Sequence, residues 1–345
     1  MLNYTKQSNS EVITMKRLII LPLLLICAVL TSCGNEPARK TIYAMDTAAI
    51  FTVYGDNAED AISAAEAEIY RLDALLSRSN ERGDIYPLNV NGTGEVSDET
   101  ASVINTALNV CRETGGAFDI TVTPIMDAWG FFGHDYRVPS DMEINGLLPR
   151  VNYNNVTLDG NSVSLRNSSA IDLGGIAKGY ASGRAAQVLK DNGVTSALIS
   201  FGSAIEAIGT KPNGDAWTIG ITNPQKPEGY ILTLDIADTC VATSGSYEQV
   251  FEENGKTYHH IINPSTGYPA ESGLASVSVI GGDPTRADAL STALFVMGLD
   301  DATGFWKNNG GFDAVFITDN GGIYYTAGLE GNIAAANGQA MKIIE

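Results

Sequence analysis

From Trp217 to Ile280 the chain reads as one strand after another. The apolar runs 216–224, 231–238, 240–245, 256–264 and 273–282 follow each other, separated only by turns. A parallel sheet needs a crossover of a dozen or more residues, usually a helix, between its strands. This run shows none, which counts against a doubly wound architecture. Helical patterns do occur, but they neither alternate strictly with strands nor form one block. The expectation is an α+β fold: a mixed, largely antiparallel sheet core flanked by helices.

The helical segments are legible from spacing. In 56–77, Ile62, Ala65, Ile69, Leu72 and Leu76 recur with a period near 3.6, with acids early and Arg71 late. A second helix fills 97–116, capped by Ser97 or Asp98 and stopped by Gly115-Gly116. A third follows the glycines at 174–175 and stops at Gly193, and a fourth runs from about Thr285 to Met297. Residues 41–55 read as a strand pair or a bent strand, 77–94 as a loop, and 196–202 as a short apolar strand. Residues 156–165 and 313–328 read as hairpins, the first around Asp159-Gly160.

The N-terminus carries an address. Met15-Lys16-Arg17 precedes an apolar run of about 13 residues, too short for a comfortable span of about 20. Leu30-Thr31-Ser32-Cys33 then resembles a bacterial lipobox. The expected organisation is an upstream extension (1–14), a lipoprotein signal peptide (15–32), lipidated Cys33 opening a linker (33–40), and one folded domain (41–345). Such a protein sits outside the cytoplasm, anchored by lipid to a bacterial membrane. Gly34 is not an Asp retention signal, so inner and outer membrane stay open. Cys111 and Cys240 either pair or remain two buried thiols.

The formal net charge is −19, with no Lys/Arg cluster outside the leader, which argues against nucleic acid as a partner. Any anionic ligand then needs local help from a metal, a lysine or a helix N-terminus. Gly174-Gly175-Ile176-Ala177-Lys178-Gly179 matches neither common phosphate loop, yet it opens a helix. Lys178 supplies a charge there; Asp172 before it reads equally as a cap. Asp288, Ser291 and Thr292 share one helix face and present hard oxygen donors suited to Mg²⁺, or simply cap and solvate an amphipathic helix. His259 and His260 face opposite ways in a strand, so one can serve as a base near neutral pH. Asp119, among aromatic and β-branched residues, needs a partner if buried. Phe118, Trp129 and Phe131 either cover a ring system or fill the core.

Taken in order, six stretches resemble the FAD:protein FMN transferases, the ApbE-like flavin transferases. They are 45–47 (MDT), 115–131, 171–181, 241–251, 258–269 and 287–298. The resemblance spans nearly all of the chain after the leader and implies an ApbE-like fold for 41–345. It implies Mg²⁺-dependent cleavage of FAD, transfer of FMN to a Thr or Ser hydroxyl of an acceptor flavoprotein, and release of AMP. By motif, the metal would lie among Asp288, Thr292, Ser291 and the carbonyl of Gly175. FAD would contact Met45, Ala117, Phe118, Asp119, Asp172, Lys178 and the backbone near Ile262, with His260 as the base. Two alternatives share this resemblance: a Mg²⁺-dependent FAD pyrophosphatase, and a flavin-binding lipoprotein without turnover. The chain departs from the family pattern at Ser200, Gly202-Ser203 and Ala204, at Ser79 where many relatives carry an aromatic residue, at Asp46 for Gly, and at Asn263 for Asp.

Overall fold

The computed structural model describes residues 36–345, so the leader and the first three linker residues, Cys33 among them, lie outside the described residues, while the end of the linker already belongs to the first strand, which begins at Ala38. Within 36–345 a nine-stranded sheet carries the fold. Its spatial order is Ala38–Ala44, Thr47–Tyr54, Ser196–Phe201, Ala204–Ile208, Cys240–Gly245, Leu274–Ile280, Asp313–Thr318, Ile323–Thr326 and Met341–Ile344. Every neighbouring pair is antiparallel except the last, Ile323–Thr326 with Met341–Ile344. The mixed, largely antiparallel core expected from the strand run is therefore present.

The described residues contain eight helices: α1 (Ala58–Leu76), α2 (Ile85–Asn91), α3 (Asp98–Glu113), α4 (Thr123–Trp129), α5 (Asp141–Leu147), α6 (Ala177–Asp191), α7 (Pro284–Met297) and α8 (Leu299–Asn309). The periodic apolar set of α1 is buried throughout. With α6 and the first strands of the sheet, it forms one core around Phe51, Leu72, Ile199 and Phe201. Helices α3 and α7 pack on the neighbouring part of the sheet around Leu108, Leu294, Phe295 and Phe316. The hairpin Trp217–Asn223/Lys226–Ile236 makes its own core with side chains such as Ile280 and Val315. None of the helices described is long and apolar enough to cross a membrane.

Several local expectations need correction. The 77–94 loop contains α2, which ends when Gly92 adopts φ 72 and its N–H bonds to the Leu88 carbonyl. Helix α8 follows α7 after the single break at Gly298. The strand read over 256–264 is broken into Lys256–His259 and Ile262–Asn263. Asp172 donates its N–H to Ile120 O (2.8 Å) in an irregular segment. Cys111 and Cys240 are both free and buried, and burial pushes each thiol up to about 12, away from thiolate chemistry.

Candidate active site

A cavity of about 1070 Å³ opens where α6 begins, beside α7 and two hairpin turns of the large sheet. One turn is Met45–Asp46, with φ of 48° and 58° at residues that are not glycine. The other is Gly202–Ser203, where Gly202 has φ 57° and a Cβ would meet Thr47 Oγ1 at 2.8 Å. This second turn is the altered 200–204 segment, and both of its residues line the cavity.

The glycine turn is built by its own side chains. Asp172 Oδ1 accepts from Gly174 N (2.7 Å), and Lys178 Nζ folds back to donate to Gly174 O (3.1 Å). Asp172 therefore caps the turn rather than the helix, which begins only at Ala177. A Cβ on Gly175 would lie 3.0 Å from the Phe118 ring, so this backbone runs close under that wall. Gly179 has a different role. It lets α6 cross α7 so closely that its N–H reaches Asp288 Oδ2 (2.9 Å). A Cβ there would meet Pro284 O at 2.2 Å.

Asp288 is only 3% exposed, and its second carboxylate oxygen accepts no hydrogen bond among the described residues. Nearby, Ser244 Oγ bonds Ser291 Oγ (2.8 Å) and Thr292 Oγ1 (3.0 Å), while Ser291 also donates to Asp288 O (2.8 Å). Asp288, Thr292 and Gly175 line the cavity; Ser291, fully buried, stands one layer behind it. No group of three or more His, Cys, Asp or Glu among the described residues could hold a metal. A cation here would have one carboxylate, hydroxyl and carbonyl oxygens, and water. That donor set fits Mg²⁺, which keeps several waters and takes few carboxylates.

The charge of the lining argues in the same direction. Asp46, Asp73, Asp119, Asp172, Glu248 and Asp288 face only Arg78 and Lys178 as permanent cations. A pyrophosphate entering such a site needs added positive charge.

His260 lies in the cavity wall with Nδ1 3.0 Å from Glu248 O. A carbonyl only accepts, so Nδ1 carries the proton and Nε2 keeps a lone pair. Burial pushes the His260 pKa down to about 4; the Glu248 carbonyl opposes this and Lys178 reinforces it. The ring is neutral at physiological pH and stands edge-on to Phe131. His259 turns the other way. Its Nε2 meets Ala270 O (3.2 Å), and Nδ1 accepts from Ile261 N (3.2 Å). The two histidines thus diverge, and only His260 reaches the cavity.

Met45, Ala117, Phe118, Asp119, Asp172, Lys178 and Ile262 also line the cavity. Asp119 has already found its partners. Oδ1 accepts from Thr121 N (2.8 Å) and Thr121 Oγ1 (2.6 Å), and Oδ2 from Tyr153 N (2.8 Å). Burial pushes its carboxyl up while these bonds pull it down. Phe131 lines the cavity, whereas Trp129 is core, donating to Gly267 O (2.8 Å). Sequence reasoning missed Arg78, Phe132 and Glu248, all in the lining. Glu248 stood inside the matched 241–251 stretch; burial raises its carboxyl, opposed by Lys178. No local pattern marked the other two.

Comparison with known proteins agrees with this geometry. Residues 45–316 match the model of the ApbE family. The chain is 34% identical to the FAD:protein FMN transferase of Haemophilus influenzae, covering 74% of this chain and 76% of that one. It is 31% identical to the enzyme of that name from Treponema pallidum, covering 88% and 92%. The solved ApbE protein of Thermotoga maritima superposes with a TM-score of 0.78 at 35% identity, covering 84% of this chain and 96% of that one. The flavin transferase ApbE of Vibrio cholerae gives 0.77 at 26% identity, covering 86% and 98%.

Proposed function

The chain belongs to the ApbE family, and on that premise we propose how its cavity works as an FAD:protein FMN transferase. The transfer joins the FMN half of FAD to a Thr or Ser hydroxyl of an acceptor flavoprotein. The hydroxyl oxygen bonds to the FMN phosphorus, the pyrophosphate P–O bond breaks, and AMP leaves with the electron pair. The observation that carries this reading is one cavity shared by His260, the Asp288–Thr292 face and the glycine turn.

Each part has work suited to its chemistry. His260 Nε2 takes the acceptor proton, since its tautomer is fixed by the Glu248 carbonyl. Lys178, held at Gly174 O, places a charge beside the turn. Phe118, Phe131, Met45 and Ile262 provide apolar walls for ring systems. Asp288, Thr292 and the Gly175 carbonyl would hold Mg²⁺, which when bound neutralises charge on the phosphates. Asp119 keeps segment 119–153 in place, and Ser291 buttresses Ser244 and Asp288 from behind. The leader adds a location: lipid attached at Cys33 would keep the enzyme outside the cytoplasm, on the bacterial membrane that carries its acceptor.

The test is direct. The purified protein is incubated with FAD, Mg²⁺ and a candidate acceptor, and the acceptor's intact mass is measured. A gain of one FMN on a Thr or Ser supports transfer, and its absence for a panel of acceptors refutes it.

A further inference from the structure

At the cavity mouth an arginine and a phenylalanine form a unit that the mechanism above does not use. The Arg78 guanidinium lies 4.1 Å from the centroid of the Phe132 ring. That distance is well inside the range of a cation–π contact. Arg78 is held from two sides: Nη2 donates to Asp127 Oδ1 (2.6 Å) and Nη1 to Asp172 Oδ2 (3.3 Å). Its side chain is only 13% exposed, although it faces a cavity. Phe132, by contrast, is 46% exposed and lines the cavity.

The backbone presents this ring deliberately. Gly130 has φ 75°, and a Cβ there would meet Asp135 O at 1.9 Å, so only glycine allows the turn after α4 to close. Gly133 (φ 84°) and His134 (φ 61°) continue it. The segment behind Phe132 is pinned as well, with Arg137 N donating to Trp129 O (3.2 Å). An aromatic ring is thus held at the mouth of a dinucleotide-sized cavity, one face backed by a fixed cation. Neighbouring Ser79 offers no ring, and its hydroxyl is turned to Ser77 Oγ (3.0 Å).

We propose that Phe132 is a stacking platform for a planar heteroaromatic ring of FAD, and that Arg78 is the positioning residue that holds it. This rests on the transferase reading, which supplies the ligand. The same arginine ties the platform to Asp172 and so to the glycine turn, linking the ring-binding mouth to the phosphate end. FAD offers two planar rings, flavin and adenine, and the arms of the test separate them.

The test measures equilibrium binding of FAD, FMN, AMP and inorganic pyrophosphate to the purified protein and to Phe132→Ala, Phe132→Tyr, Arg78→Ala and Arg78→Lys. Stacking of a base on an aromatic side chain predicts a Kd for FAD roughly tenfold higher in Phe132→Ala. FMN or AMP weakens with it, which identifies the ring, while pyrophosphate binding stays unchanged. Phe132→Tyr restores FAD binding. Arg78→Lys keeps the charge but not the planar fork, so it weakens FAD toward the Phe132→Ala value. Beyond Phe132→Ala alone, the double variant Arg78→Ala/Phe132→Ala loses only the factor by which Arg78→Ala weakens pyrophosphate, because everything else that Arg78 contributes acts through the ring. Wild-type FAD affinity in Phe132→Ala overturns the proposal, as does an equal loss of pyrophosphate. If the unaltered protein fails to bind FAD, the transferase reading itself falls.

Discussion

Gly179→Ala adds a single methyl group where α6 crosses α7. That methyl would lie 2.2 Å from Pro284 O and 2.7 Å from Asp288 Cβ, against ordinary contact at 3.4 Å or more. Neither obstacle is the tip of a flexible side chain, so the helices must part by about 1 Å, and over-packing of this kind costs about 1–3 kcal/mol. Parting also stretches the 2.9 Å bond from Gly179 N to Asp288. A hydrogen bond to a charged acceptor contributes about 1.5–3 kcal/mol. Alanine's better helix propensity returns about 1 kcal/mol. The expected net loss is roughly 2–5 kcal/mol, read by urea unfolding. Because Asp288 moves with α7, the variant also needs more Mg²⁺ to bind FAD. Gly304→Ala in α8 is the control. No atom lies within 4 Å of its added Cβ, so it stabilises by about 0.5–1 kcal/mol. A Gly179→Ala protein as stable as the unaltered one, with the same Mg²⁺ requirement, refutes the helix-crossing argument.

Three further predictions follow from the same geometry. Asp46→Gly relieves a left-handed residue in the turn at the cavity edge, where Asp46 has φ 58°. It should raise unfolding stability by about 1 kcal/mol, and an unchanged melting temperature counts against strain there. Asp288→Asn keeps an acceptor for Gly179 N but removes the carboxylate charge, so the Mg²⁺ concentration for half-maximal activity rises by at least about tenfold; an unchanged Mg²⁺ titration removes Asp288 from the metal site. Burial holds the His260 pKa near 4, below its ordinary 6.5. The acid limb of kcat/KM should therefore lie well below pH 6.5 and vanish with His260→Gln. Since the folded-state pKa is depressed, the matching stability contribution is complete above about 6.5 and is lost as pH falls through about 4. Melting curves of the two proteins should converge across that window; parallel curves would show that His260 is not buried neutral.

Legibility in the sequence tracked the length of each pattern. Helices α1 and α3 bury an apolar stripe over three turns or more, so spacing alone located them, whereas α7 is buried round most of its surface, Asp288 and Ser291 included. Helix α2 has only seven residues with Pro87 among them, and its end depends on the left-handed Gly92, a backbone feature that composition hides. The strand through His259 and His260 breaks because His260 leaves it to reach the Glu248 carbonyl, a tertiary contact. The site followed the same division. His260, Lys178, Thr292 and Asp288 stand in ordered motifs, and the fold brings them to one cavity. Arg78 and Phe132 stand 54 positions apart in sequence and meet only through the turn that Gly130 permits. Asp119 read as a ligand-seeking acid, yet Thr121 and Tyr153 supply its donors. Of the glycines in 174–179, only the structure separates Gly175, which lines the cavity, from Gly179, which seats one helix on another.

Transfer and hydrolysis differ in the fate of the two halves of FAD. AMP release and FMN attachment are followed together, with Mg²⁺ present, with and without an acceptor flavoprotein. Transfer predicts one AMP released for each FMN bound covalently to a Thr or Ser, and little AMP when the acceptor is left out. AMP formed at the same rate without acceptor, with FMN free in solution, would contradict it and make the protein an FAD pyrophosphatase.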